Sequence, residues 1–169
     1  MKRISAPAFP AVSADQLREW LRLDPDVDAD TLDLLLGSAV DHVQALTGQI
    51  VVSADYETVL HGPGCHVITI SNATAVSLAD QQGNPITNID IVEASVHGDL
   101  VFVQVVPADL GPVTVRVTAG WTTGETVPAS LRHAIAVYVG AAYDSRNAID
   151  DATLRTVAAL CQPFRRIVI

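Results

Sequence analysis

The chain has 169 residues, 49% of them hydrophobic, which is the length of one domain with enough apolar material for a buried core. Only 17% are charged and the net charge is −9, with an isoelectric point near 4.7 and a mean hydropathy of +0.32. Nucleic-acid binding through the overall field is therefore disfavoured, and part of the apolar surplus is expected on the surface, for partners. No run approaches the roughly 18 apolar residues of a membrane helix. The Pro-broken stretch after Met1-Lys2-Arg3 lacks a signal-peptide hydrophobic region, so synthesis inside the cell and no membrane association are expected.

In chain order, residues 1–12 carry Pro7 and Pro10 without periodicity and read as an extended arm. Ser13 followed by Gln16 makes a capping box, and Leu17, Trp20 and Leu21 then share a face, predicting a helix over 14–22. Pro25 breaks it. A second helix starts near residue 30, with Leu32, Leu35, Leu36, Ala39, Val40, Val43 and Leu46 at helical spacing and Gly48 as its stop.

From residue 50 the period becomes two. Strands are predicted over 50–60, 66–71, 75–79, 88–94, 100–106 and 113–119, separated by turns at Gly62-Pro63-Gly64, Gln82 to Pro85, His97-Gly98-Asp99 and Gly111-Pro112. Val113, Val115 and Val117 alternate with Thr114, Arg116 and Thr118, which implies one buried and one wet face and a cover for the apolar side, assigned here to the helices. Pro128 at a first helical position precedes Leu131, Ile135, Tyr138, Val139 and Ala142, a third helix; Leu154, Val157, Ala158, Leu160 and Cys161 form a fourth, ending before Pro163. The fold class is α+β, a bundle of two N-terminal and two C-terminal helices with a central, mostly antiparallel β-section. The expected organisation is a single domain, 1–169: arm 1–12, helical 13–48, β-section 49–121, helical 127–162 and tail 163–169.

A search for chemistry finds little. Asp24, Asp26, Asp28 and Asp30 imitate a calcium loop, but Ala29 stands where glycine is needed and Leu35 where a bidentate Glu is needed, which leaves a solvated helix start. Gly62-Pro63-Gly64 lacks the third glycine of a dinucleotide fingerprint and precedes a strand. His61, Cys65 and His66 supply three soft ligands where a structural zinc site takes four. His42 and His133 read as packing residues on helices, and His97 as a turn residue. Cys65 and Cys161 lack a catalytic signature and are too few for a disulfide framework. No nucleophile elbow or P-loop is present. No catalytic residue, metal or cofactor is assigned, and the expectation is a protein that is not an enzyme.

The apolar residues Phe9, Phe164, Ile167, Val168 and Ile169 lie in the arm and tail, without an evident core of their own. They are candidates for docking onto neighbours. Two readings of the tail stand side by side: Arg165-Arg166-Ile167-Val168-Ile169 adds as a strand to another chain's sheet, or the tail folds back onto its own domain.

The order of these segments resembles the head–tail connector proteins (adaptor or head-completion proteins) of long-tailed phages over nearly the full chain. The resemblance is carried by Ser13 to Leu21 with Leu23-Asp24, by Asp30 to Gly48, by Val113 to Trp121, by Val127-Pro128 to Ile135, by Tyr143-Asp144-Ser145-Arg146 and by Leu160 to Arg165. The longer central strands match a larger variant with an inserted β-section. The resemblance implies a ring, usually twelvefold, that binds beneath the portal after DNA packaging and receives the tail-side stopper or tail protein, with DNA passing through and no catalysis. It places the chain in the virion neck of a phage, a prophage remnant or a gene-transfer agent, made in the bacterial cytoplasm. Portal docking is assigned to the C-terminal helix and tail, through Leu154, Val157, Phe164, Arg165, Arg166, Ile167, Val168 and Ile169, because that segment joins an amphipathic face to two arginines and an apolar end. Deleting residues 164–169 is then expected to abolish particle association and leave the fold intact. Asp33 and Asp41 on the second helix are expected at the rim. The competing classes are a small β-module binding a carbohydrate or peptide, disfavoured by only 5% aromatic residues, and a hydrolase, which needs a cleft of converging His and carboxylate groups.

Overall fold

The capping pair opens the first helix, α1 (Ala14–Leu21). The Gln16 amide donates to Ser13 Oγ at 3.1 Å and the Ser13 amide to Gln16 Oε1 at 3.0 Å, which satisfies donors a helix start leaves without partners. The computed structural model describes residues 1–8, 10–22, 29–86, 92–97, 99–105, 111–145 and 148–166. The later helices are α2 (Ala29–Thr47), α3 (Ala129–Asp144) and α4 (Asp151–Cys161), with a short 3-10 turn over Gln162–Phe164. The predicted stripe of α2 is buried at Leu32, Leu36, Ala39 and Val43, and Gly48 ends the helix in the left-handed region at φ 69°. Pro128 stands one position earlier than predicted, as the residue before α3, because its ψ of 136° is extended.

The strands are β1 (Lys2–Arg3), β2 (Ala54–Leu60), β3 (Gly64–Thr69), β4 (Ala73–Ala79), β5 (Val92–His97), β6 (Leu100–Val105) and β7 (Val113–Ala119). They form two antiparallel sheets, ordered β1-β2-β7-β4 and β3-β6-β5. The alternation on β7 appears as read: Val113, Val115, Val117 and Ala119 are buried and Arg116 is exposed, and β6 buries Val101, Val103 and Val105 in the same way. β4 lies against β5 and β6, so the β-section supplies its own second layer, where helices were expected as the cover. The strand predicted over 88–94 lies partly outside the described residues.

Two compact units result. One joins Met1–Ala8 to Ser53–Gly120 and holds the strands; the other joins Phe9–Val52 to Trp121–Ile169 and holds the helices. The helical unit closes its own core around Leu17, Leu36, Ala39, Val43, Leu131, Ile135, Val139 and Val157. Val51 and Val52 belong to that core, and the Val51 amide donates to Gln44 Oε1 at 3.0 Å. That capture explains why β2 starts at Ala54, four residues later than the period-two pattern predicts.

The N-terminal arm departs from its expected role. Lys2 and Arg3 pair with Glu57 and Tyr56 of β2, the Ile4 amide donates to Asp55 O at 2.8 Å, and the Ala8 amide donates to Ser53 O at 2.9 Å. The arm thus lies along a strand of its own chain, because β2 offers unpaired backbone groups that it can satisfy. Phe9 lies outside the described residues.

Candidate assembly interface

The C-terminal segment starts from a cap. Asp150 accepts from the Thr153 amide at 2.6 Å, and this hydrogen bond holds its carboxyl below the ordinary 3.8. A depressed folded-state pKa means that the cap's stabilisation is present above the unfolded value and lost as pH falls through the folded one. Amide-exchange protection of the first turn of α4 is therefore expected to hold from neutral pH down to about pH 4 and to fall below it. Asp150→Asn removes that acid-dependent step.

α4 turns Val157 and Cys161 into the helical core, and burial pushes the Cys161 thiol up. Cys65, by contrast, is exposed. A thiol reagent at neutral pH is expected to label one cysteine of the native chain, Cys65, and both only in denaturant; mass spectrometry of the labelled peptides checks this. Val157, 0% exposed, anchors α4 to the core. Leu154 is half-buried and lines a cavity of about 490 Å³ with Leu35, Ser38, His42 and Tyr138.

Beyond α4 the chain folds back, following the second reading of the tail as far as residue 166. Phe164 packs against the helical core, its carbonyl accepts from Gln49 Nε2 at 2.7 Å, and the Arg166 amide donates to Thr47 O at 2.7 Å. That last bond satisfies a carbonyl at the C-terminus of α2. Deleting residues 164–169 would remove these ties, so the expectation that it leaves the fold untouched does not hold. Arg165 is exposed, and Ile167, Val168 and Ile169 lie outside the described residues.

Two further surfaces of the helical unit stand out. Between α1 and α3 runs a groove of about 560 Å³, lined by Val12, Leu17, Trp20, Arg132, His133 and Ala136, with Gln16 and Glu19 beside them. Trp20 is half exposed there and meets His133 edge-on, ring centroids 6.2 Å apart. Among the described residues, the Arg132 Nε–H is buried without an acceptor. The second surface is the outer face of α2. Leu34 is 74% exposed, and at 100° per residue it points away from the Leu32, Leu36, Ala39 and Val43 stripe. Sequence reading missed both. Leu34 hides inside the run Leu34-Leu35-Leu36 unless the helical angle is counted, and the groove joins segments more than a hundred residues apart.

His61, Cys65 and His66 remain at the turn before β3 and on that strand; Cys65 and His66 are consecutive there and so face opposite sides, and a His66 ring nitrogen, Nε2, lies 3.1 Å from Gly62 O. Among the described residues no group of three or more His, Cys, Asp or Glu side chains is placed to hold a metal ion, and no helix is long and apolar enough to cross a membrane. Asp24, Asp26 and Asp28 lie outside the described residues.

No protein-family model matches the chain, and no curated protein matches it either. Solved structures do. The neck of an empty GTA particle, computed with C6 symmetry, superposes with a TM-score of 0.75 at 19% identity, over 99% of this chain and 96% of that one. The neck of a native GTA particle, computed with C12 symmetry, gives 0.76 at 17% over the same shares. This chain has the fold of a gene-transfer-agent neck protein. A chain from the virion of a native gene transfer agent particle agrees at 0.75 and 20% identity, again over 99% and 96%. The likeness runs end to end, through both units, and is consistent with the head–tail connector resemblance of the sequence.

Proposed function

We propose that the protein is a non-enzymatic structural component of a virion neck, assembling as a ring adaptor between the portal and a tail-side stopper or tail protein. The observation that carries this reading is the end-to-end agreement in fold with neck chains of particles computed with C6 and C12 symmetry. The acidic, charge-poor composition supports a ring twelve subunits around whose channel wall repels DNA, so that the duplex slides without sticking. Portal docking is proposed for the C-terminal segment, with Leu154, Phe164, Arg165, Arg166, Ile167, Val168 and Ile169 as contacts and Val157 positioning α4 from the core.

The test is native mass spectrometry and electron microscopy of the full chain, alone and with DNA-filled, portal-bearing particles. Closed rings, alone or seated on the portal, are the expected result. A chain that stays monomeric and leaves portals bare overturns the proposal, and a monomer binding an oligosaccharide or peptide supports the β-module instead.

A further inference from the structure

Two observations on the outer face of α2 have no explanation among the described residues. Leu34 is the most exposed large apolar side chain among the described residues, and Asp30 and Asp41 flank it at i−4 and i+7 on the same helical face. One turn on, Gly37 interrupts an otherwise helix-favouring run, although a Cβ there would meet nothing within 4 Å. A mid-helix glycine is unfavourable relative to alanine, and no packing among the described residues calls for it; a backbone approached closely by another molecule does. On the other side, the α1/α3 groove combines an apolar floor with the half-buried Arg132. A carboxylate arriving in the groove pairs with that guanidinium.

The two surfaces are complementary. One is an apolar knob between acids over bare backbone; the other is an apolar groove lined by an arginine. No residue of α2 lines the groove, so they are different patches, as a head-to-tail contact requires, and such contacts close into rings when the rotation allows. We propose that the outer face of α2, centred on Leu34 and Gly37, seats in the α1/α3 groove of a second copy of this chain. This deepens the ring reading and rests on it. Glu19, at the groove's edge, opposes the incoming acids, so Glu19→Gln should raise the ring population.

The test uses the full chain and two substitutions chosen to keep it folded. Gly37→Gln adds bulk to the knob face and, as a better helix former, should raise the melting temperature. Trp20→Glu places an acid in the groove at a half-exposed site. Each variant alone is expected to lose rings at least tenfold under conditions where the unsubstituted chain forms them, with melting temperature held or raised for Gly37→Gln. Mixed, the two are expected to give a one-to-one dimer, because one intact knob and one intact groove remain. Rings at the original yield from either variant, or no dimer on mixing, overturn this contact and leave the ring reading standing. An unsubstituted chain that forms no ring, alone or on portal-bearing particles, overturns both.

Discussion

Leu131→Ala is expected to destabilise the helical unit by about 3–5 kcal/mol and to lower its melting temperature by roughly 10 °C or more. Leu131 is fully buried on α3 in the core that also holds Leu17, Leu36, Val43 and Val157, so α1, α2 and α4 all share that core with it. Truncation leaves a cavity that four helix segments of fixed connectivity cannot close by collapsing, and the lost burial adds to the cavity cost. The total stability of a domain is only about 5–15 kcal/mol, so the loss is a large share of it. Leu131→Met keeps the volume and should cost less than about 1.5 kcal/mol. Thermal and urea unfolding followed by far-ultraviolet circular dichroism distinguish the two. Because the proposed portal contacts and both proposed ring surfaces stand on this unit, the alanine variant should also lose particle association near its melting temperature while the methionine variant keeps it.

Ending the chain at Arg166 is expected to reduce association with portal-bearing particles at least tenfold while leaving the melting temperature within a few degrees of the original. Ending it at Pro163 reduces association at least as much and also destabilises the helical unit, by about 2–3 kcal/mol. The difference comes from what each cut removes. The shorter chain loses the packed Phe164 ring and the bonds to Gln49 and Thr47, whereas the longer one loses only Ile167, Val168 and Ile169 and keeps every one of those ties. Co-sedimentation with particles, read beside thermal unfolding, separates docking from folding. Full association by the chain ending at Arg166 would move the portal contact away from those three residues.

The four helices and most of the strands were legible in the sequence because their causes are local. A capping box at Ser13 and Gln16, the 3.6-residue stripe of α2 and the alternation of β7 each follow from backbone geometry over a few residues. Where the reading failed, a distant partner decided. Val51 and Val52 carry a strand pattern but join the helical core, and the arm pairs with β2 of its own chain; of the two readings left open for the tail, Gln49 and Thr47 decide for fold-back by holding Phe164 and Arg166. The candidate interface shows the same division. The amphipathic faces of α1 and α3 were each readable, but the groove between them exists only because the fold lays segments near residues 12–20 and 132–136 side by side. Composition and order of segments thus determined the α+β class, the acidic surface and the connector resemblance. Only the tertiary structure decided that strands and helices close separate cores, and which apolar side chains, Trp20 among them, are left facing outward, since burial depends on partners far apart in the chain.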